Sequence, residues 1–158
     1  MTLQLMIAVD GSEASLQAVR KGLSLVQAGL KADIALVHVQ EAASFLELAT
    51  HDADDIATAA VQAGEHLMGP AMELLDAEGV GYTTEVALGE PAAVLTDMAE
   101  EIDADLVIIG ARGMGAIESV LVGSVSKALV TRCSKPVLVV KMPEDLAQSV
   151  LGEEGEAT

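Results

Sequence analysis

Five short apolar runs, each separated from the next by a stretch of helical periodicity, limit the folds open to this chain more than any other feature. The runs are Leu3–Val9, Asp33–Val39, Val80–Leu88, Asp105–Ile109 and Pro136–Lys141. Strands with so few polar residues suit a parallel sheet buried on both faces. Between the first two, Leu16, Val19, Leu23, Val26 and Leu30 recur at spacings of three and four, one face of a helix. Ile56, Ala60, Ala63, Leu67, Ala71 and Leu74 form a second such stripe, and Val94, Met98 and Ile102 a third. A further helix is expected to run to about Cys133. Strands alternating with helices predict right-handed βαβ crossovers and an α/β fold with helices on both faces of the sheet. Val80–Leu88 is the least uniformly apolar run, which assigns it an outer position.

Local signals place the boundaries. Asp10-Gly11-Ser12 ends the first run, with Ser12 as N-cap and Glu13 in the first turn of the helix. Gly79 is a C-terminal helix stop, and Gly89-Glu90-Pro91 starts the next helix with proline near its first position. Gly69-Pro70 falls inside the helix expected over 54–78, where proline predicts a kink or a break into two helices. Residues 40–53 lack periodicity and read as a loop or short irregular helix. The nearby Asp52, Asp54 and Asp55 read as a solvated loop or helix start, without the spaced ligands of a calcium loop. The expected organisation is one domain over 1–141 and an acidic, fraying tail over 142–158.

Composition narrows the function. The formal charge of −17 opposes binding to nucleic acid or to an anionic membrane. No apolar run approaches the ~18 residues of a membrane span, so no membrane insertion is expected. The first basic residue is Arg20, unlike a signal peptide, and Cys133 is alone. These features predict a cytoplasmic protein. Arg112, Lys127, Arg132 and Lys135 crowd into the stretch from 112 to 135. Arg132 and Lys135 suit a helix C-terminus. Arg112 is the better phosphate candidate, and Lys127 points to solvent.

That basic stretch overlaps a glycine signature, Gly110-x2-Gly113-x9-Gly123-Ser124, directly behind the fourth run. Glycine-rich turns let backbone N–H groups approach an anion, and a helix opening at Ser124 adds its own donors. A polyphosphate held between them makes a nucleotide the first ligand to consider. The signature lacks the Gly-Lys-Ser/Thr of a Walker loop and the third glycine of a dinucleotide fingerprint. His38, His51 and His66 have no metal-ligand spacing and read as structural. No nucleophilic triad or general base beside the glycines is evident, so no catalytic residue is assigned.

Taken together, these pieces resemble the universal stress protein family. They are Val9-Asp10-Gly11-Ser12, His38-Val39, Gly89-Glu90-Pro91, Asp105-Leu-Val-Ile-Ile-Gly110, the glycine signature and Pro136-Val-Leu-Val-Val, spanning 1–141. The resemblance implies a five-stranded parallel sheet in the order 3-2-1-4-5, and a homodimer. Pairing through Val137–Val140 agrees with that habit, because so apolar an edge is otherwise an aggregation template. It further implies ATP as ligand, with Gly110, Arg112, Gly113, Gly123 and Ser124 at the phosphates and ribose. Asp10 would sit beside the ribose or a phosphate-bound Mg²⁺ or Mn²⁺, and Val39 would offer its backbone to adenine. Asp10 as a mere helix cap stands as the alternative. The function so implied is that of a nucleotide-dependent regulator in stress response acting on a protein partner. Slow ATP hydrolysis, a nucleotide-independent interaction module, and AMP or cyclic AMP as ligand remain open alternatives.

Overall fold

The computed structural model describes residues 1–41, 52–111, 123–143 and 145–146. Strands and helices alternate: β1 (Leu3–Ala8), α1 (Glu13–Gln27), β2 (Ala32–Gln40), α2 (Ala53–Ala77) and β3 (Tyr82–Leu88) lead the chain. Next come α3 (Pro91–Glu101), β4 (Leu106–Gly110), α4 (Ser124–Arg132) and β5 (Val137–Val140). The strands form one five-stranded sheet in the order β3-β2-β1-β4-β5. Every pairing is parallel, with Ala8 opposite Val37 and Ile7 opposite Ile108. Both the α/β class and the strand order match expectation, and β3 lies at an edge as its mixed polarity predicts.

Alternation along the strands divides the core between two faces. Leu5, Ile7, Ile34, Leu36 and Ile108 pack with Ala18, Val19 and Leu23 of α1 and with Met68, Ala71 and Leu75 of α2. Met6, Ala8, Val37, Val107 and Ile109 pack with Leu95 and Ala99 of α3 and Leu129 of α4. With aromatics confined to Phe45 and Tyr82, the helices lie close to the sheet on small residues. A Cβ at Gly22 would stand 2.6 Å from Ile7 Cδ1, so α1 touches the sheet where it has no side chain.

Close approach shifts the buried stripes from their expected positions. On α1 the buried residues are Ala14, Ser15, Ala18, Val19, Gly22 and Leu23, while Leu16, Val26 and Leu30 pack at the margin. On α2 they are Gly64, Met68, Ala71 and Leu75, and Ala63 is exposed. On α3 the centre is Ala92, Leu95 and Ala99, with Met98 and Ile102 partly buried beside it. Glycine stands where a helix comes closest to a neighbouring side chain, at Gly22 on α1 and Gly64 on α2, with larger buried residues such as Leu23, Met68 and Leu75 beside it.

α2 also runs unbroken through Pro70, against the expected division. A Cβ on the residue before proline normally opposes helical backbone, and here that residue is Gly69. Met68 and Ala71 are buried on either side of the exposed Pro70, so packing holds both halves in one helix. Ser12 caps α1 by accepting from Ser15 N, Glu90 caps α3, and Gly79 takes φ +66° behind α2. Among the described residues no helix is long and apolar enough to cross a membrane. The expected loop over 40–53 and the tail over 142–158 fall largely outside the described residues.

Candidate functional site

Strand order reverses between β1 and β4, because the first crossovers lead away through β2 and β3 and the later ones lead to β5. At such a switch point the two connecting chains diverge and leave a crevice beyond the carboxyl ends of the strands. A cleft of about 430 Å³ lies there, bounded by the ends of β1, β2 and β4 and the N-terminus of α4. Small-molecule sites commonly measure roughly 300–1,000 Å³.

Asp10, Val39, Gly110, Gly123 and Ser124 all line this cleft. Arg112 and Gly113 lie outside the described residues. Asp10 does not itself cap α1. Its Oδ1 accepts from Ser12 N at 2.9 Å and from Ser12 Oγ at 2.5 Å, and Ser12 Oγ in turn accepts from Ser15 N at 3.1 Å. Asp10 therefore orients the capping residue from the cleft wall. Ser15 completes the turn, its Oγ accepting from Asp10 N at 3.3 Å and donating to Ser12 O at 2.9 Å.

The two described glycines of the signature serve different purposes. A Cβ at Gly110 would run into the Ala14 carbonyl group and stand 3.1 Å from Ser15 N. The space beside Gly110 is thus filled by the backbone of α1, a packing need independent of any ligand. Gly123 has φ −65°, a conformation open to any residue, and its N–H donates to Ala111 O.

α4 meets the cleft at an N-cap residue that has no side chain. Ser12, Asp52 and Glu90 each supply a side-chain cap to α1, α2 and α3, whereas Gly123 supplies none to α4. The first N–H groups of a helix have no intrahelical acceptor and carry the positive end of its dipole. Ser126 fastens this end to the sheet. Its buried Oγ lies 3.1 Å from Ala111 O and 3.0 Å from Gly123 O. Ser126→Ala should cost about 1 kcal/mol, the net worth of one hydrogen bond, because Ala111 O and Gly123 O keep the Gly123 and Lys127 N–H groups as donors. Urea denaturation would read the loss, and an unchanged midpoint would show that the serine does not anchor α4.

The rest of the wall is mostly apolar: Val9, Leu67, Pro91, Leu95 and Val125 contribute to it. Among the described lining residues the charged side chains are Asp10 and Glu41, both acidic. Lys127 is exposed on α4 and does not line the cleft, and Arg132 lies in the last turn, as expected. Lys135 instead pairs with Asp103 at 2.5 Å, and that hydrogen bond holds the Asp103 carboxyl below its ordinary range. No cluster of three or more metal-ligating side chains occurs among the described residues. A divalent ion here would draw most of its ligands from a bound anion and water.

His38 was read as structural, and it is a buried, hydrogen-bonded core residue that nevertheless lines the cleft. Sequence patterning does not mark Ser126 or Leu95 as site residues, and Pro91 enters it as a helix start and in the Gly89-Glu90-Pro91 motif rather than as a cleft residue.

The model of the universal stress protein family matches residues 1–141. A universal stress protein of Methanocaldococcus jannaschii is 27% identical over 142 residues, covering 89% of this chain and 83% of that one. A solved universal stress protein in complex with cAMP superposes with a TM-score of 0.64 at 25% identity, over 87% of this chain and 96% of that one. A family protein from Arabidopsis thaliana with AMP bound gives 0.64 at 21% identity, over 90% and 94%.

Proposed function

Because this chain belongs to the universal stress protein family, we propose that its cleft binds an adenine nucleotide, ATP foremost, and that occupancy makes it a nucleotide-dependent regulator of a cytoplasmic stress response. The observation that carries this reading is the α4 N-terminus, where Gly123 supplies no side-chain cap, opening on a cleft whose remaining wall is mostly apolar. One end suits phosphate and the other a planar base. The cAMP and AMP held by two structural neighbours support the same ligand class.

In this reading Gly123 and Ser124 meet the phosphates with backbone donors, joined by Gly113 and Arg112. Gly110 shapes the wall at the end of β4. The Val39 backbone serves adenine. A carboxylate beside polyphosphate is repelled unless a ribose hydroxyl or a cation intervenes, so Asp10 faces the ribose or a Mg²⁺ or Mn²⁺ on the phosphates. Two subunits join through Val137–Val140 of β5, the apolar edge opposite β3, and a protein partner reads the occupied state.

Equilibrium dialysis of the purified chain against ATP, AMP and cyclic AMP, with and without Mg²⁺, tests this. Saturable binding is expected, with ATP strengthened by the metal. Gly123→Val adopts the native φ without strain and places a side chain among the donors. It should weaken binding at least about tenfold, roughly 1.4 kcal/mol, while the circular dichroism spectrum is kept. Absence of saturable binding by all three nucleotides overturns the reading.

A further inference from the structure

His38 and Gln40 lie on one face of β2, two residues apart, and both line the cleft. His38 is 4% exposed. Its Nδ1 lies 2.7 Å from the Val9 carbonyl oxygen, one residue beyond the end of β1, and its Nε2 lies 3.0 Å from the side-chain amide of Gln40 at Oε1. The ring is confined by α2, since a Cβ at Gly64 would stand 2.9 Å from His38 Cδ2. On its own this describes a satisfied core histidine.

The donor and acceptor roles carry a consequence for the cleft. A carbonyl oxygen only accepts, so Nδ1 bears the proton that bonds Val9. In the neutral ring Nε2 is then a bare acceptor. Its partner must donate. The two ends of a glutamine amide have the same shape, and the hydrogen-bond network decides which faces which neighbour. Facing neutral Nε2, the Gln40 amide directs its NH2 group to the ring and its oxygen away from it.

We propose that His38 is a positioning residue that sets the Gln40 amide so that its oxygen faces the cleft as an acceptor. That oxygen selects a base with an exocyclic amine, adenine, over one with a carbonyl in that place, such as hypoxanthine. The proposal rests on the nucleotide reading of the cleft and adds the group that discriminates among purines.

AMP and inosine monophosphate share ribose and phosphate and differ at the exocyclic group, so their affinity ratio isolates base recognition. Titration calorimetry at pH 7.5 should give the native chain a preference for AMP of about tenfold, the scale of one mispaired buried polar group. Gln40→Leu should reduce that ratio to within about threefold while AMP still binds. His38→Phe should lower the ratio similarly, and Gln40→Leu carries the test alone if that variant does not fold. An unchanged ratio in Gln40→Leu, or a native preference for inosine monophosphate, overturns the assignment. If neither nucleotide binds the native chain, the nucleotide reading itself fails, a result distinct from binding without discrimination.

Discussion

Gly110→Val is expected to destabilise the chain by about 3 kcal/mol, the upper range for an overpacked site. The added Cβ meets the Ala14 carbonyl group and Ser15 N rather than a flexible side chain. Backbone within a helix cannot move aside singly, so relief requires shifting α1 off the end of β4. Ala14, Ser15 and Ala18 are buried in that contact, and their burial is lost with the shift. For a domain of this size such a loss lowers the melting temperature by roughly 6–12 °C. Calorimetry of the unliganded protein measures it directly. A melting temperature within 2 °C, by about the scale of a 1 kcal/mol effect, would show that Gly110 does not act through packing. The result separates two glycines of one signature, since Gly123→Val should lose ligand at a stability cost of only about 1 kcal/mol, the worth of a favoured N-cap residue.

Leu129→Ala is the second large effect. Leu129 is 0% exposed and, with Ser126, is one of two buried residues on α4. It packs with the face of the sheet built from Met6, Val107 and Ile109 and with α3. Truncation removes the transfer free energy of its side chain and leaves a cavity, together about 2–5 kcal/mol. The short α4 is then held behind β4 by the Gly123 N–H and the Ser126 hydroxyl at Ala111 O, with only partly buried Val125 and Cys133 packed beneath it, so its N-terminal donors are less firmly fixed. Urea denaturation should show the stability loss, and dialysis under native conditions a parallel loss of nucleotide affinity. Native affinity in a destabilised variant would place the phosphate contacts elsewhere than α4.

The parts of this fold legible in sequence were those governed by local periodicity and turn chemistry. Leu5–Val9 and Leu106–Ile109 are apolar throughout because both faces of the central strands are covered, and that pattern survives without any knowledge of neighbours. Ser12, Gly79 and Glu90-Pro91 were legible because capping depends on residues within one turn. The helix stripes were less so. Ala63 was placed inside and Gly64 was overlooked, because hydrophobicity favours the larger side chain while the closest helix–sheet contact favours the smaller. Pro70 predicted a break on local grounds, and burial of Met68 and Ala71 kept the helix whole.

The candidate site divides along the same line. Gly123 and Ser124 were identifiable because a helix start announces backbone donors locally, whereas Asp10 and Val39 came from the family resemblance. That Asp10 holds Ser12, that Gly110 makes room for Ala14, and that Ser126 ties α4 to Ala111 depend on atoms brought together only by the sheet. His38 is the clearest instance. Its chain neighbours mark it as an ordinary buried histidine; Gln40 meets one ring nitrogen from two residues along the same strand, and only the pairing of β1 with β2 sets Val9 against the other.

Order of elements, strand character, caps and the glycine spacing are short-range properties, encoded residue by residue and therefore readable from the chain alone. Which glycine serves packing, which helix end meets the cleft without a side-chain cap, and how an amide is turned were decided by the assembled fold. The reason is physical: close contact and hydrogen-bond complementarity are set between segments far apart in the chain, and no local pattern records them.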